Sequence, residues 1–366
     1  MEMVAEAKAP VIWHLLSNRW NSAITEYALS AARALQACGY KTIFSPLEDS
    51  PAAARAVAAG LEVRAFPGFG PGAIARYRHC HRRIRPDMIL AYEGPESALV
   101  NFCSPGSPTR CIRFRGKEGD RNPRRGPLHR LGMARFEGVL VPSGVLSVPV
   151  RSGLSPHQQL LEVALGCDTD RFYPAPGGAI PRPELLILGR LDPVKGHTAF
   201  MQHFSRLRSR PDLQDCPPLL RIVGQPANIS EESLHRAARS AGLAVNRDYV
   251  LNTDRVQDPA GLMSQAAVGV VCSTGSEVIC RVTEEFLLCG TPVLVSRAGA
   301  LAECVFPGAG MVCDGGDAWA SEAVARFIHS SQRESGDIRL ERSRRARELY
   351  SLEAMGRNLQ RQLRLP

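Results

Sequence analysis

The sequence of 366 residues lacks an apolar run long enough to cross a bilayer, which takes about 20 residues. Segment 1–10 also lacks the basic start and the apolar core that define a signal peptide. These two absences predict a protein that stays in the cytoplasm.

Cysteine spacing typical of zinc sites is absent as well. The 11 cysteines are scattered, odd in number and never spaced as C-x-x-C. Several, such as Cys38, Cys111 and Cys272, lie within apolar runs, which favours small buried side chains over metal ligands or disulfides. We therefore expect no metal and no disulfide framework.

Aromatic residues make up only 6% of the chain, and no aromatic platform accompanies its positive charge. The formal net charge is +9, and cations concentrate in the basic loop 110–135. Without a recognisable nucleic-acid module, this loop favours an anionic acceptor or a lipid headgroup over nucleic acid. A solvated charged loop without a partner is the simpler alternative.

The sequence does contain an alternation of apolar strand-like runs with helical segments. Strands are predicted at 11–16, 41–44, 61–66, 87–91, 109–114 and 138–141, and helices at 23–38, 52–59, 72–84 and 143–154. No repeat or low-complexity tract interrupts this order. The alternation predicts a doubly wound α/β sheet, and the length suits two such domains.

The loop after the first predicted strand, residues 17–22, lies where an open α/β sheet binds its ligands. It combines two amides, a cation and an aromatic side chain in Asn18, Arg19, Trp20 and Asn21. We expect these residues to contact a substrate. Capping of the following helix by Ser17 or Asn21, with Trp20 packed beneath it, is an equal alternative.

A segment rich in proline and glycine at 166–183 has the composition of a linker between domains. The predicted strand 184–188 follows it and leads into the loop Gly189–Gly196. Arg190 and Lys195 on this loop can hold a diphosphate from two sides, because a guanidinium and an ammonium both bind phosphate oxygens. Surface charges that flank a turn are the alternative.

Two acids follow a further predicted strand. Apolar residues 267–272 predict a buried strand, after which Glu277 lies in a loop and Glu285 in a helix. Such carboxylates suit the hydroxyls of a sugar or ribose, and N–H groups at a helix amino terminus suit a phosphate. A helix cap at Glu277 and a solvated Glu285 are the alternative. Loops containing Gly224 and Val256 would meet at the same sheet edge.

Several of these motifs occur in the order of a known family. The segments Gly189-Arg-Leu-Asp-Pro-Val-Lys-Gly196 and Gly290-Thr-Pro-Val293, with Glu277 and Glu285 between them, resemble the carboxyl-terminal domain of glycosyltransferase family 4. The stretch Leu165-Gly-Cys-Asp-Thr-Asp-Arg-Phe-Tyr-Pro174 resembles that family's Asn-Gly-Val-Asp-x-x-x-Phe-x-Pro. The resemblance is strong over 139–312 and covers the first half only in outline.

The resemblance implies a GT-B architecture, in which two Rossmann-like doubly wound domains face each other across a cleft. Residues 1–170 would form the acceptor domain together with a crossing helix at 351–366, and residues 171–350 would form the nucleotide-sugar donor domain. The resemblance also implies retaining chemistry without a metal or a cofactor, with the nucleotide-diphosphate sugar as co-substrate.

Carried over residue by residue, the resemblance gives catalytic roles to Arg190 and Lys195, which would neutralise the diphosphate, and to Glu277, which would contact the donor sugar. Glu285 would bind the ribose hydroxyls. The other donor-binding positions are Gly189, Gly224, Val256, Ile279, Cys280 and Arg281. Acceptor-binding positions besides 18–21 are Arg113, Arg115, Lys117 and His129.

Two departures from the family accompany these matches. Phe286 stands where the family usually has Ala after the second acid, which predicts a narrower donor pocket. Arg113 and Arg115 stand where the family has a His after a middle strand.

The implied function is retaining transfer of a sugar to a lipid-linked or lipopolysaccharide-type glycan at the cytoplasmic face of a membrane, with loop 110–135 against its anionic surface. A catalytically inactive nucleotide-sugar-binding scaffold and a GT-B nucleotide-sugar epimerase are the alternatives. Slow release of sugar in the absence of an acceptor would distinguish the enzyme from the scaffold.

Overall fold

The computed structural model describes residues 9–104, 106–121, 126–175 and 182–365. Contacts within the chain divide it into two units. Unit 1 comprises Met1–Gly166 and Leu352–Pro366, and unit 2 comprises Cys167–Ser351. The chain therefore returns to unit 1 after unit 2 is complete.

Unit 1 contains, within the described residues, a parallel sheet of seven strands in the order β3-β2-β1-β4-β5-β6-β7. The strands are β1 Val11–Leu16, β2 Lys41–Pro46, β3 Glu62–Val63, β4 Met88–Ala91, β5 Arg110–Phe114, β6 Gly138–Val141 and β7 Gln159–Glu162. All six residues of β1 are buried, as expected for a central strand covered on both faces.

The helices of unit 1 connect these strands and cover both faces of the sheet. They are α1 Ala23–Ala37, α2 Pro51–Ala58, α3 Ile74–Ile84, α4 Gly94–Cys103, α5 Pro127–Met133, α6 Gly144–Arg151 and, from the end of the chain, α13 Leu352–Leu363. Trp13 of β1 shows how the core is fixed: its ring stacks on Tyr77 of α3 at 5.3 Å, and its Nε1 donates to Ser45 Oγ at 2.8 Å. The buried indole N–H therefore has a hydrogen-bond acceptor.

Helix α13 packs directly on α1. A Cβ added to Gly356 would lie 2.7 Å from Cys38 Sγ and 2.9 Å from the Ala34 carbonyl oxygen, so only glycine allows this approach. Met355 and Leu359 on the same helix are fully buried. The last helix is therefore part of the hydrophobic core of unit 1.

Unit 2 contains, in its described part, a second parallel sheet of six strands in the order β10-β9-β8-β11-β12-β13. The strands are β8 Glu184–Leu188, β9 Leu219–Val223, β10 Tyr249–Asn252, β11 Val268–Val271, β12 Val293–Ser296 and β13 Gly310–Cys313. The helices are α7 His197–Arg208, α8 Glu231–Ser240, α9 Pro259–Gln265, α10 Arg281–Leu288, α11 Glu322–Gln332 and α12 Gly336–Tyr350.

The strand order reverses once in each sheet. In unit 1 the reversal lies between β1 and β4, and in unit 2 it lies between β8 and β11. Loops that leave the carboxyl ends of two such neighbouring strands diverge to opposite faces, which opens a crevice where open α/β sheets bind ligands. The loops after β1, β4, β8 and β11 are therefore where functional side chains are expected.

Several strand predictions are confirmed at their bounds, namely 11–16, 138–141 and 184–188. The strand predicted at 61–66 is wrong in length: only Glu62–Val63 pairs as a strand, followed by an isolated bridge between Leu47 and Phe66. Helix α4 was not predicted, and it begins at Gly94-Pro95. Proline is tolerated there, in the first helical turn.

Among the described residues, no helix is long and apolar enough to span a membrane. Nor do three or more His, Cys, Asp or Glu side chains of these residues lie close enough together to hold a metal ion.

The packing of Phe286 against Gly269 in unit 2 can be tested by substitution of the glycine. A Cβ on Gly269 of β11 would lie 2.5 Å from the Phe286 ring of α10. We expect Gly269→Ala to lower the free energy of unfolding by about 1–3 kcal/mol, because the buried ring has no room to move. Urea unfolding measures this loss. Gly336→Ala, at a helix start with no atom within 4 Å, is the matched control; equal stability of the two variants would contradict the packing.

Candidate functional site

The strongest polar contact at the reversal point of unit 2 joins Lys195 and Glu277. Lys195 ends a single 3₁₀ turn after β8, and Glu277 lies in the loop after β11. The Lys195 Nζ lies 2.5 Å from Glu277 Oε1, and the carboxylate side chain is only 7% exposed. Two residues predicted as catalytic from separate motifs therefore form one ion pair.

The backbones of these two loops are interlocked. Gly196 has a φ of +75°, and a Cβ there would lie 2.1 Å from the Cys272 carbonyl oxygen, so a side chain is excluded. The Thr274 N–H donates to the Val194 carbonyl oxygen at 2.8 Å. The relative position of Lys195 and Glu277 is thus set by main-chain contacts as well as by their charges.

Glu277 is also held by its own neighbours. Ser273 Oγ donates to Glu277 Oε1 at 2.6 Å, and the Ala300 N–H donates to the Glu277 carbonyl oxygen at 2.7 Å. Gly299 approaches the same carbonyl so closely that a Cβ would lie 2.1 Å from it. Ser273 and Gly299 support the predicted carboxylate, and sequence motifs alone did not show this role for Ser273.

Arg190 is exposed on the turn that follows β8. Its neighbour Asp192 has a pKa below its usual range, chiefly because the Val194 N–H donates to the carboxylate. The Asn228 amide and the charges of Arg190 and Lys195 act in the same direction. Asp192 thereby stays ionised and shapes the turn that carries both cations.

Gly189 and Gly224 lie against each other at the ends of neighbouring strands β8 and β9. A Cβ on Gly224 would lie 1.8 Å from the Gly189 carbonyl oxygen, so this contact requires glycine. Val256 is half-buried in the loop between β10 and α9. These three predicted positions follow adjacent strands at the carboxyl edge of one sheet.

The helix that begins at Arg281 carries the second predicted acid. Arg281 Nε lies 3.1 Å from Glu285 Oε1, one helical turn away, and Glu285 is buried. Ile279 and Cys280, just before the helix, are also buried, at 7% and 4% exposure. Their side chains therefore support the loop, and only their backbone groups or small exposed areas are available to a ligand.

Glu284, which the sequence motifs did not single out, is buried beside Glu285. The Cys167 Sγ donates to Glu284 Oε2 at 3.8 Å. Burial raises the pKa of the Glu284 carboxyl to about 8, and the neighbouring Glu285 acts in the same direction. Glu284 is therefore a protonated structural residue at neutral pH, next to the acid expected to bind ribose.

Phe286 occupies the space between α10 and the sheet. Its fully buried ring lies on Gly269 of β11. Phe286 is larger than the Ala that is usual in the family, and Gly269 on the facing strand leaves room for the extra volume. Phe286 is therefore a core residue.

At the reversal point of unit 1, Glu93 connects two predicted acceptor residues. Asn18 Nδ2 donates to Glu93 Oε1 at 3.2 Å, and Lys117 Nζ donates to Glu93 Oε2 at 2.7 Å. Glu93 follows β4, and sequence reasoning missed it. The neighbouring loops after β1, β4 and β5 are thereby joined by one carboxylate.

The buried carboxyl of Glu96 connects two of these loops from below. Its Oε1 accepts from the Glu93 N–H at 2.6 Å and from the Ser17 N–H at 3.2 Å. Complete burial raises the pKa of Glu96 to about 7. This residue was also missed, since its helix was not predicted.

Trp20 is presented to solvent by a fixed backbone. Its side chain is 75% exposed, whereas its N–H donates to Asn18 Oδ1 at 2.8 Å and its carbonyl oxygen accepts from Thr25 Oγ1 at 2.7 Å. The prediction that Trp20 packs beneath the helix is therefore wrong, because the ring projects outward. Arg19 is exposed beside it, and Asn21 Oδ1 accepts from Arg55 Nη1 at 2.8 Å.

The remaining predicted acceptor residues form two separate contacts. Arg115 Nη2 lies 3.5 Å from His129 Nε2, and its Nη1 lies 3.5 Å from Asp120 Oδ1. Arg113 instead directs its Nη1 to Met133 Sδ at 3.2 Å. Burial lowers the pKa of Arg113 to about 10, with a further contribution from Arg115. Arg113 is thus held inside unit 1.

Residues 182–330 match the sequence family described as Glycosyl transferases group 1. A curated relative from Mycolicibacterium smegmatis, a GDP-mannose-dependent alpha-(1-6)-phosphatidylinositol monomannoside mannosyltransferase, is 31% identical over 182 residues, which cover 45% of this chain and 46% of that protein. D-inositol 3-phosphate glycosyltransferase 2 of Catenulispora acidiphila is 31% identical over 39% of this chain and 36% of its own length. The chain thus spans less than half the length of these relatives.

Solved structures share the fold of this chain. Anabaena HepE in complex with UDP and glucose superposes with a TM-score of 0.74, at 15% identity, over 97% of this chain and 99% of that chain. A glycosyltransferase from Rickettsia africae gives 0.77, at 14% identity, over 98% and 100%. The lipopolysaccharide outer core galactosyltransferase WaaB gives 0.70, at 11% identity, over 97% and 99%. The predicted GT-B fold of two Rossmann-like parallel-sheet domains is confirmed.

The protonated state of Glu284 predicts how stability depends on pH. Its pKa is about 8 in the folded chain and 4.5 ordinarily, so between these values the folded chain keeps a proton that the unfolded chain has lost. The free energy of unfolding should therefore fall as pH rises through this window, by at most about 1.4 kcal/mol per pH unit from this group.

We expect Glu284→Gln to make this decline shallower, because the neutral amide has no proton to lose. Urea unfolding at about pH 5.5 and about pH 7.5 measures the slope. Glu322→Gln, at an exposed position of α11, is the control and should leave the slope unchanged. A slope of wild-type steepness in Glu284→Gln would show that Glu284 is not the group that holds the proton.

Proposed function

Because residues 182–330 form a glycosyltransferase group 1 domain, we propose that this chain is a glycosyltransferase that moves a sugar from a nucleotide-diphosphate sugar to a glycan or glycolipid acceptor. The observation that carries the proposal is the Lys195–Glu277 pair at the reversal point of the sheet in unit 2. It combines a cation suited to phosphate with a carboxylate suited to sugar hydroxyls. A nucleotide sugar carries both groups.

On the donor side, Arg190 and Lys195 would stabilise the diphosphate as it leaves. Positive side chains aimed at the position where negative charge develops lower the barrier and can take the electrostatic part of a divalent ion. The reaction we propose is accordingly metal-independent and needs no cofactor. Retention of configuration would follow if the acceptor attacks from the side of the leaving phosphate, which then accepts the acceptor's proton.

The other donor contacts come from the second acid and from backbone. Glu285, oriented by Arg281 at 3.1 Å, would accept hydrogen bonds from the ribose hydroxyls. The glycine contact between Gly189 and Gly224 would let a ligand approach the main chain. Relatives are consistent with this donor class, since one is named for GDP-mannose and a structural neighbour was solved with UDP and glucose.

On the acceptor side, we propose a lipid-linked or lipopolysaccharide-type glycan at the cytoplasmic face of a membrane. Support comes from the name of the Mycolicibacterium relative, which acts on a phosphatidylinositol monomannoside, and from that of WaaB. Trp20 adds a structural argument, because an exposed indole on a hydrogen-bonded backbone offers an apolar platform for a sugar ring near Asn18 and Asn21.

The basic segment 110–135 was predicted as a loop, but the structure places β5 and α5 within it. In this proposal the part between these two elements would lie against the anionic membrane surface. Lys117 is exposed in it, whereas residues 122–125, with two of its arginines, lie outside the described residues.

A nucleotide-sugar-binding scaffold without transfer activity is the second candidate. Arg113, which stands where the family has a His, is half-buried and directs its Nη1 to Met133 Sδ. Binding of a nucleotide sugar with neither transfer nor slow hydrolysis would favour the scaffold.

We expect Arg190→Ala and Lys195→Ala each to lower turnover by about 100-fold or more, because each removes a charge that stabilises the leaving diphosphate. Release of nucleoside diphosphate from UDP-glucose and from GDP-mannose, with and without added glycolipid, is the measurement. Arg206→Ala, on the exposed side of α7, is the control and should retain activity. Normal turnover in a well-folded Arg190→Ala, Lys195→Ala double variant would refute the diphosphate role.

We expect Glu285→Ala to weaken the binding of the preferred nucleoside diphosphate about tenfold, since a hydrogen bond to a charged group is worth about 1.5–3 kcal/mol. Titration calorimetry with UDP, GDP and ADP would identify that nucleotide and measure the loss. Glu322→Ala is the matched control in the same unit. An affinity unchanged by Glu285→Ala would remove the ribose assignment but leave the diphosphate assignment standing.

A further inference from the structure

The ammonium group proposed to hold the donor diphosphate already has a carboxylate partner. Lys195 Nζ lies 2.5 Å from Glu277 Oε1, and the two side chains are 28% and 7% exposed. Arg190, the other cation of this loop, is exposed and forms no ion pair within the part of the chain that the structure describes. A diphosphate at this site therefore meets one unpaired cation and one cation that is bound to an acid.

Of the two partners in the ion pair, Glu277 is the more firmly held. Ser273 Oγ donates to the same Oε1 at 2.6 Å, and the Ala300 N–H donates to the Glu277 carbonyl oxygen at 2.7 Å. The Lys195 side chain is more exposed, and among the described residues its Nζ donates to Glu277 alone. A long, flexible lysine side chain can redirect its ammonium group, whereas the buried carboxylate stays where it is.

The position of the Lys195 loop does not depend on the ion pair. The Thr274 N–H donates to the Val194 carbonyl oxygen at 2.8 Å, and Gly196 approaches the Cys272 carbonyl oxygen too closely for a side chain. These main-chain contacts remain when the charge of Glu277 is removed. Removal of that charge therefore changes the electrostatics of the site and leaves the turn in place.

The charge of Glu277 opposes an anion at Lys195. Any phosphate oxygen within hydrogen-bond distance of Lys195 Nζ also lies a few ångströms from the Glu277 carboxylate, and like charges at that range repel. The repulsion grows when the sugar leaves, because a terminal phosphate that no longer carries the sugar ionises a second time near neutral pH. Glu277 therefore disfavours the nucleoside diphosphate product more than the nucleotide sugar.

A purely orienting role for Glu277 is the alternative. An ammonium group has three N–H donors, so Lys195 could bind the carboxylate and a phosphate together. In that case, loss of the carboxylate would loosen Lys195 and weaken diphosphate binding. Because main-chain contacts hold the turn, the structure favours repulsion over loosening. The two roles predict opposite changes in affinity.

We infer that Glu277 competes with the donor diphosphate for the ammonium group of Lys195 and thereby promotes release of the nucleoside diphosphate after transfer. Lys195 turns from the carboxylate to the phosphates when the nucleotide sugar binds, and it returns to Glu277 when the product leaves. This role is additional to the contact of Glu277 with the donor sugar, and it rests on the proposed function. The ion pair keeps the affinity of the site for its product low.

The experiment is titration calorimetry with UDP, GDP and ADP, followed by stopped-flow measurement of the dissociation rate of the tightest of them. We expect Glu277→Gln to bind that nucleoside diphosphate about tenfold more tightly and to release it about tenfold more slowly, because residues in direct contact are strongly coupled. Glu277→Ala should show the same gain, so the result does not depend on how glutamine packs. Turnover of the matching nucleotide sugar should fall in both variants.

The origin of the gain is tested in variants of the two cations. In Lys195→Ala, the further change Glu277→Gln should raise the affinity by about twofold or less, since no ammonium group is left to compete for. In Arg190→Ala the full gain should persist, because no described carboxylate pairs with Arg190. Glu322→Gln, which removes one negative charge at an exposed position of α11, is the control and should bind like the wild type. Circular dichroism establishes that every variant is folded.

Weaker binding in Glu277→Gln would show that the carboxylate orients Lys195; it would overturn the inference and leave the proposed function standing. Unchanged affinity, an equal gain in Lys195→Ala, or tighter binding without slower dissociation would also overturn it. A gain of the expected size in a chain that shows neither transfer nor hydrolysis would support the competition and refute the proposed transferase. A wild-type chain that binds none of the three nucleotides would refute the proposed donor site, and the inference with it.

Discussion

The close approach of Gly196 to the Cys272 carbonyl oxygen is the constraint on which the proposed donor site depends. A Cβ would lie 2.1 Å from that oxygen, so the loops after β8 and β11 can meet at this distance only through a glycine. Lys195 directly precedes this contact, and Glu277 lies in the loop that leaves the same strand end. The 2.5 Å ion pair therefore forms between two loops that the backbone already holds close together. A partly buried pair held in this way is ordered before a ligand arrives.

The same arrangement occurs in the sheet of unit 1 with different side chains. Its strand order reverses between β1 and β4, and Asn18 from the first loop donates to Glu93 from the second. In each unit an acid follows the strand that lies across the reversal point from the first strand. This acid is Glu93 in unit 1 and Glu277 in unit 2, and it contacts a polar side chain from the loop after the first strand. Unit 2 adds the cations Arg190 and Lys195 at this edge, and unit 1 adds Arg19, Lys117 and the exposed indole of Trp20. One topology therefore brings an acid and cations together at the same edge of both sheets.

Motifs in the sequence identify Arg190, Lys195 and Glu277 but miss the acids Glu93 and Glu96. Arg190, Lys195 and Glu277 each lie shortly after a continuous apolar run, so pattern and motif agree on them. Glu93 and Glu96 could not be predicted, because their importance rests on which strand lies beside β1, and a sequence does not state strand order.

Adjacent acids and adjacent core residues show a second limit. Helical periodicity cannot decide which of Glu284 and Glu285 has the raised pKa, since both acids are buried on the same helix. From the sequence alone, Phe286 predicts a narrower donor pocket. In the structure its ring instead packs against Gly269. The pKa of Glu284 and the packing of Phe286 both depend on contacts with other elements, so neither can be predicted from the sequence.

The place of α13 in unit 1 has a consequence for biosynthesis. Its residues Met355, Gly356 and Leu359 fill the groove along α1, yet the ribosome makes them only after the whole of Cys167–Ser351. While that segment is being translated, the apolar groove of α1 stays open, and the first unit of the nascent chain is unfinished. The core of the first unit can therefore be completed only after the segment in the middle has been synthesised. Until then the nascent first unit exposes apolar surface, which makes it prone to aggregation.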